Sequence, residues 1–295
     1  MPPLTRSIAG TPGAAPAPAA PTQPGRVSGA IRRAPLASFL VLSCLLSWWP
    51  VILLAAGVSG PPIAGFGPFL AAVIVLGVTQ GRAGIGRLLR SMVRWRVPVR
   101  GYAFAIGLPV LVTGSAILVN LALGATRPDS ADLALWTNVP VVLLLVLLVP
   151  GIGGAWEEPG FRGFALGRLE QRFGRLAGPL LLGGFWVFWH GPLFLTGDIL
   201  WPDVLVIMAA SVVIAAVFHS ARDSVLIAML FHATNNAVGG EFASQLFHGA
   251  DQTRLGLVTA AGWWLIAVGI LIRRTADPRA SLNRGERILW QASGP

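Results

Sequence analysis

Trp156-Glu157-Glu158-Pro159-Gly160-Phe161-Arg162-Gly163-Phe164 places two adjacent carboxylates and an arginine inside a strongly apolar region. Charged groups in such a setting are costly unless they are paired or face a water-filled cavity, so they are functional candidates by default. In a helix, Glu158 and Arg162 share one face at i,i+4 and can pair. Glu157 then points about 100° away and stays free. One carboxylate held by an arginine and one left reactive is an arrangement that acid–base chemistry can use. An ordinary ion pair at a helix end near the membrane surface would use the same residues, because structural ion pairs also perturb charged groups. The surroundings have to decide.

The surroundings are those of a membrane protein. Hydrophobic residues make up 54% of the chain and charged residues only 12%, with a mean hydropathy of +0.70. These values fit an all-α polytopic membrane helical bundle. The net charge of +10 comes from arginine alone, for the chain has no lysine. The arginines fall in short clusters between apolar stretches, as in cytoplasmic loops, which argues for a lipid bilayer as partner and against nucleic acid. The basic loops also suit anionic lipid head groups. Cys44 is the single cysteine, so a disulfide framework and a cysteine metal site are both excluded.

Reading outward, residues 1–29 form a Pro/Ala-rich tail, expected to be disordered and cytoplasmic and without the layout of a cleavable signal peptide. Residues 30–136 hold the N-terminal membrane helices, 137–240 the segment with the polar motifs, and 241–295 the last membrane helix and a basic tail. About eight transmembrane helices are expected, near 35–57, 63–79, 101–123, 139–164, 178–195, 204–218, 224–238 and 255–272. The fourth needs its full length. Residues 139–149 alone would reach only about 17 Å, against a hydrocarbon core of about 30 Å. Continuing to residue 164 makes it long enough and puts both glutamates in its inner portion. Pro150 and the glycines 151, 153 and 154 predict a kink or a locally open backbone there.

Eight spans put both termini on one side, together with the arginine clusters, and put the loops around Asp129, Asp198 and Glu241 on the other. The positive-inside rule therefore predicts a multi-pass protein of a cytoplasmic membrane with both termini in the cytoplasm. The absence of lysine and the Ala/Gly/Pro/Arg bias suggest a GC-rich bacterial genome. No internal repeat is visible, which argues against inverted-repeat transporters.

Two histidines lie inside apolar spans. His190 follows Phe185-Trp186-Val187-Phe188-Trp189, with Trp186 at i−4 on its face; His232 has Asn236 at i+4 on its own. His219 at a span end and His248 in an outer loop read as surface residues. A lone membrane histidine is most often an interhelical hydrogen bond. Two histidines, an asparagine and two glutamates on apolar helices each need a partner, and one shared polar cavity supplies it. That cavity is expected toward the cytoplasmic side. Glu157 can deprotonate a water held between it and His190, while His232 and Asn236 stabilise an oxyanion. Hydrolysis of this kind uses no serine or cysteine nucleophile.

Glu157-Glu158 with Arg162, then His190, then His232 with Asn236 resembles the CAAX prenyl protease and bacteriocin-processing (CPBP) family. This is the intramembrane protease group that includes the Ras-converting enzyme. Its pattern is EExxxR, FxxxH and HxxxN on separate membrane helices. The first and third motifs match; in the second, Trp186 stands where phenylalanine is usual. The resemblance covers about residues 137–240. It implies an intramembrane endopeptidase acting on a membrane protein or peptide, with a prenylated CAAX-type end as one substrate class. It also implies a catalytic set of Glu157, Glu158, Arg162, His190, His232 and Asn236. Glu157 would be the general base, Glu158 and Arg162 would structure the site, His190 would orient water, and His232 and Asn236 would be oxyanion donors. No cofactor is required on this reading. If a zinc ion were used, Glu157, His190 and His232 would hold it, although the chain lacks H-E-x-x-H. Two other classes compete: a non-proteolytic immunity or scaffold protein that retains the site, and a small-molecule or proton transporter using the same carboxylates.

Overall fold

The computed structural model describes residues 26–276, and among these the chain is all-α. A short α1 (Arg26–Arg33) precedes α2 (Pro35–Ala55), whose 21 residues include no charged group. Residues 26–29 of the expected tail are thus helical; the rest of that tail and residues 277–295 lie outside the described residues. α3 (Gly67–Met92) packs along α2 and breaks at Gly81, whose φ of 62° suits glycine. The break separates an apolar first half from a second half carrying Arg82, Arg87 and Arg90. α4 (Val99–Ala122) comes next, then α5 (Ser130–Ala134), capped by reciprocal bonds between Asp129 and Asp132, and α6 (Val139–Leu148).

α6 stops where its apolar run stops. Val149 turns extended, and Gly151 and Gly153 take positive φ. The expected fourth helix from 139 to 164 is therefore two pieces. The glutamate stretch belongs to the second piece, which is built from a 3-10 turn Ala155–Glu157, α7 (Glu158–Gly160) and π-helical Phe161–Leu166 and runs on into α8 (Gly167–Trp189). At Gly174 (φ 84°, ψ 166°) the chain breaks helical geometry again, amid Arg172 and Arg175, and α8 resumes toward His190. Beyond it lie α9 (Gly191–Thr196), α10 (Pro202–Ser220), α11 (Val225–Asn235), a π-helical segment Asn236–Phe242, and α12 (Gly249–Ala276).

Among the described residues, six helical stretches are long and apolar enough to cross a membrane, against the eight expected: Pro35–Ala55, Gly67–Met92, Val99–Ala122, Ser130–Leu148, Pro202–Ser220 and Gly249–Thr275. Leu45, Leu118, Leu144 and Leu265 on four of them are more than half exposed, in keeping with a lipid-facing surface. The two that fall outside this count are the carriers of the histidines. α11 has 11 residues, about 16 Å of helix, and the apolar part of α8 beyond Gly174 spans about 22 Å. Neither needs to face lipid over a full span. α11 packs against α4, α6, α7 and α10, and Ile227, Ala228, Phe231 and Ala233 are fully buried. Irregular backbone such as the two π-helical segments is tolerated at membrane depth only under such protein cover.

Candidate active site

Glu157, Glu158 and Arg162 come from the short irregular stretch between α6 and α8, and all three are buried, at 4%, 0% and 2% exposure. The i,i+4 pair forms: an Arg162 N–H donates to Glu158 Oε1 at 3.0 Å. The guanidinium also lies over the Trp186 ring, its Cζ 4.6 Å from the centroid, a favourable stacking for a delocalised cation. Glu158 has a second partner. Nδ1 of His232 stands 2.8 Å from the same Oε1. A carboxylate only accepts, so Nδ1 carries the proton and Nε2 is left for the cavity. Helical spacing pairs Glu158 with Arg162 alone; the bond to His232 crosses 74 positions and leaves no local trace.

Glu157 is held differently. The Trp186 indole N–H donates to its Oε2 at 2.7 Å. Its Oε1 faces Gly154 and His232. A Cβ at Gly154 would stand 2.2 Å from His232 Nε2 and 2.9 Å from Glu157 Oε1. The two polar atoms thus converge on one small space that any side chain at 154 would fill. In the sequence, Trp186 reads only as an aromatic in the phenylalanine position. The signal available there is the buried indole N–H, which needs an acceptor.

His190 caps α8 and is half-buried. Its Nδ1 donates to the Trp186 carbonyl at 2.8 Å, again leaving Nε2 free. Trp186 therefore stands between the two histidines, its ring centroid 5.7 Å from that of His190 and 5.3 Å from that of His232. Asn236 opens the π-helical segment, one turn past His232; its Oδ1 is buried without a hydrogen-bond partner among the described residues.

Glu157, His190, His232 and Asn236 line one cavity of about 810 Å³, with Trp186, Asn235 and Gly154 also in its wall. Glu158 and Arg162 stand behind it. A single helix over 139–164 would put this cavity toward the arginine-bearing loops, and it does not lead there. Its walls run to Gly60 and Pro61, to Asp198 and Asp203, and to Glu241 and Gln252, which are the loops at the other end of the bundle. The break at residues 149–154 causes the difference: the glutamates begin the segment that descends to Gly174 instead of ending the helix that reaches it. Of the outlying histidines, His219 bridges Glu170 and Asp223, at 3.0 and 2.7 Å, and takes no part in the cavity; neither does His248.

Among the described residues, no group of three or more His, Cys, Asp or Glu side chains is gathered to hold a metal ion. Glu157 and His232 converge as two donors, fewer than the three protein ligands a catalytic zinc takes.

The polar core is also where the chain is similar to known proteins. Residues 136–238 match the family model described as Type II CAAX prenyl endopeptidase Rce1-like. The chain is thus a polytopic membrane protein whose core is similar to that intramembrane protease family, with a buried glutamate–histidine site. Among curated proteins, CAAX prenyl protease 2 of Methanococcus maripaludis is 37% identical over 60 residues. That stretch is 20% of this chain and 20% of the relative.

Proposed function

We propose that the protein is an intramembrane endopeptidase that hydrolyses a peptide bond of a membrane-associated substrate with a water activated by Glu157. One observation carries the reading: Glu157 Oε1 and His232 Nε2 converge beside Gly154 in the wall of a large cavity, each with its other polar atom already anchored. Glu157 takes a proton from water as the water oxygen attacks the scissile carbonyl carbon. The oxyanion forms against the Asn236 amide. Breaking the C–N bond releases an amine that receives the proton from Glu157, and the acyl half leaves as a carboxylic acid. His232, its proton held on Nδ1 by Glu158, accepts the water's other hydrogen bond through Nε2 and so is not the oxyanion donor that the sequence motif implies. His190, oriented by the Trp186 carbonyl, turns its free Nε2 to the substrate in the same cavity. Glu158 and Arg162 hold the imidazole and the helix stretch in place. The relative's name suggests a prenylated CAAX-type end, but a cavity walled by Asp198, Asp203 and Glu241 and by no arginine favours a substrate that arrives from the other face of the membrane. The protein sits in a bacterial cytoplasmic membrane with both termini in the cytoplasm, and α8 and α11 complete eight crossings.

The test compares membrane proteomes of cells carrying the wild type and Glu157→Gln. A membrane protein should accumulate uncut in the variant, with peptides spanning the cleavage site. Identical proteomes, together with no cleavage of that fraction by the purified wild type, would favour an immunity or scaffold protein.

A further inference from the structure

The bundle has two ends of opposite charge, and the cavity reaches only one. At the first end, Arg94 donates to the Arg222 carbonyl, Ser224 Oγ donates to the Arg94 carbonyl, and Arg274 donates to the Arg175 carbonyl. The loop between α3 and α4, the turn at Gly174, the loop between α10 and α11 and the end of α12 therefore meet there. At the second end, Thr126 N–H donates to Asp251, and Pro202 closes on Gly256. The acidic residues Asp129, Asp198, Asp203 and Glu241 belong to this end.

Trp186, at the heart of the site, lies eleven residues past Arg175, roughly 16 Å above the arginine end and so about midway through a 30 Å core. Below it, Phe161, Phe164, Leu166 and Ile227 are at most 1% exposed. A separate cavity of about 280 Å³ at the arginine end shares no lining residue with the main one. Above the site, the main cavity continues to Asp198, Asp203 and Glu241, and no arginine lines it.

We infer that the active-site cavity opens to the extracytoplasmic face. Arginine-rich loops stay in the cytoplasm, so the acidic end, and with it the rim of the cavity that holds Glu157, lies across the membrane from them. The substrate is then the extracytoplasmic juxtamembrane segment of a membrane-anchored protein, and not a chain end presented from the cytoplasm. The word substrate rests on the proteolytic reading; the orientation does not.

Single cysteines at the acidic rim, Asp198→Cys and Glu241→Cys, and at the arginine end, Arg96→Cys, placed in a Cys44→Ala background, test this with a membrane-impermeant maleimide. Intact cells should label the two rim cysteines at close to the level reached after permeabilisation, and should leave Arg96→Cys unlabelled until permeabilised. The reverse pattern, or equal labelling at both ends, overturns the inference. Labelling after permeabilisation identifies any variant that fails to accumulate, and reporter fusions after Gly197 and after Arg274 then supply the same contrast without cysteines. Adding Glu157→Gln should leave the labelling unchanged while removing cleavage, so the orientation and the hydrolytic reading fail separately.

Discussion

Trp186 donates its indole N–H to Glu157 Oε2 over 2.7 Å, and both side chains are buried. This bond selects which carboxylate oxygen is free to meet a water. It also exists because tryptophan occupies a position where the resembled pattern has phenylalanine, which has no donor. Trp186→Phe keeps an aromatic ring but removes a hydrogen bond to a charged group, a loss of about 1.5–3 kcal/mol. Cleavage should fall roughly 10- to 100-fold if that loss is felt at the transition state, with little change in folded yield. Unchanged turnover in purified Trp186→Phe would mean that the indole is packing alone.

The two glutamates should separate by experiment. Glu157→Gln preserves volume and polarity but cannot take a proton, so turnover should drop by at least about 10²-fold while folded yield and substrate binding hold. Arg162→Ala removes the fully buried partner of Glu158 and leaves a charge uncompensated, which costs about 3–5 kcal/mol. It should lower yield and thermal stability in detergent before any assay of activity. A Glu157→Gln protein that cleaves near the wild-type rate would move the base to Glu158 or remove hydrolysis from the site.

The part of this site legible in sequence is the part that helical spacing or hydrocarbon dictates. Glu158 and Arg162 pair because i,i+4 brings them together. His190, His232 and Asn236 face a common cavity, in keeping with the rule that no polar group is left alone in lipid. The bond from His232 to Glu158 joins α11 to α7 and cannot be read from either motif. The cavity's direction is illegible for a local reason. Length favours one helix over 139–164, whereas Val149, Gly151 and Gly153 end α6 and let the glutamates start a new descent. Likewise, among 36 glycines only the backbone shows that Gly81 and Gly174 are the ones that break helices.

Metal dependence has a direct check. With water activated by Glu157 alone, a purified enzyme treated with a strong chelator and then desalted should retain its rate within about twofold, an expectation resting on the two converging donors. Loss of activity restored by stoichiometric Zn²⁺, and blocked in His190→Ala and His232→Ala, would instead place a metal among Glu157, His190 and His232.

Gly154 gives the sharpest separation between hydrolysis and scaffold. Its backbone, φ −98° and ψ −3°, is open to any L residue, so alanine there brings no conformational strain. What alanine brings is a methyl group 2.2 Å from His232 Nε2, 2.4 Å from its Cε1 and 2.9 Å from Glu157 Oε1. Something must shift, and the atoms that shift are those proposed to hold the water. Displacing catalytic groups by about 1 Å can cost about 100-fold. Gly154→Ala should therefore lose most of its cleavage while its melting temperature in detergent moves far less than that of Arg162→Ala. Gly154→Ser, of similar bulk with a hydroxyl, should be no better. Wild-type cleavage by Gly154→Ala would show that the space beside Gly154 is not where the reaction occurs.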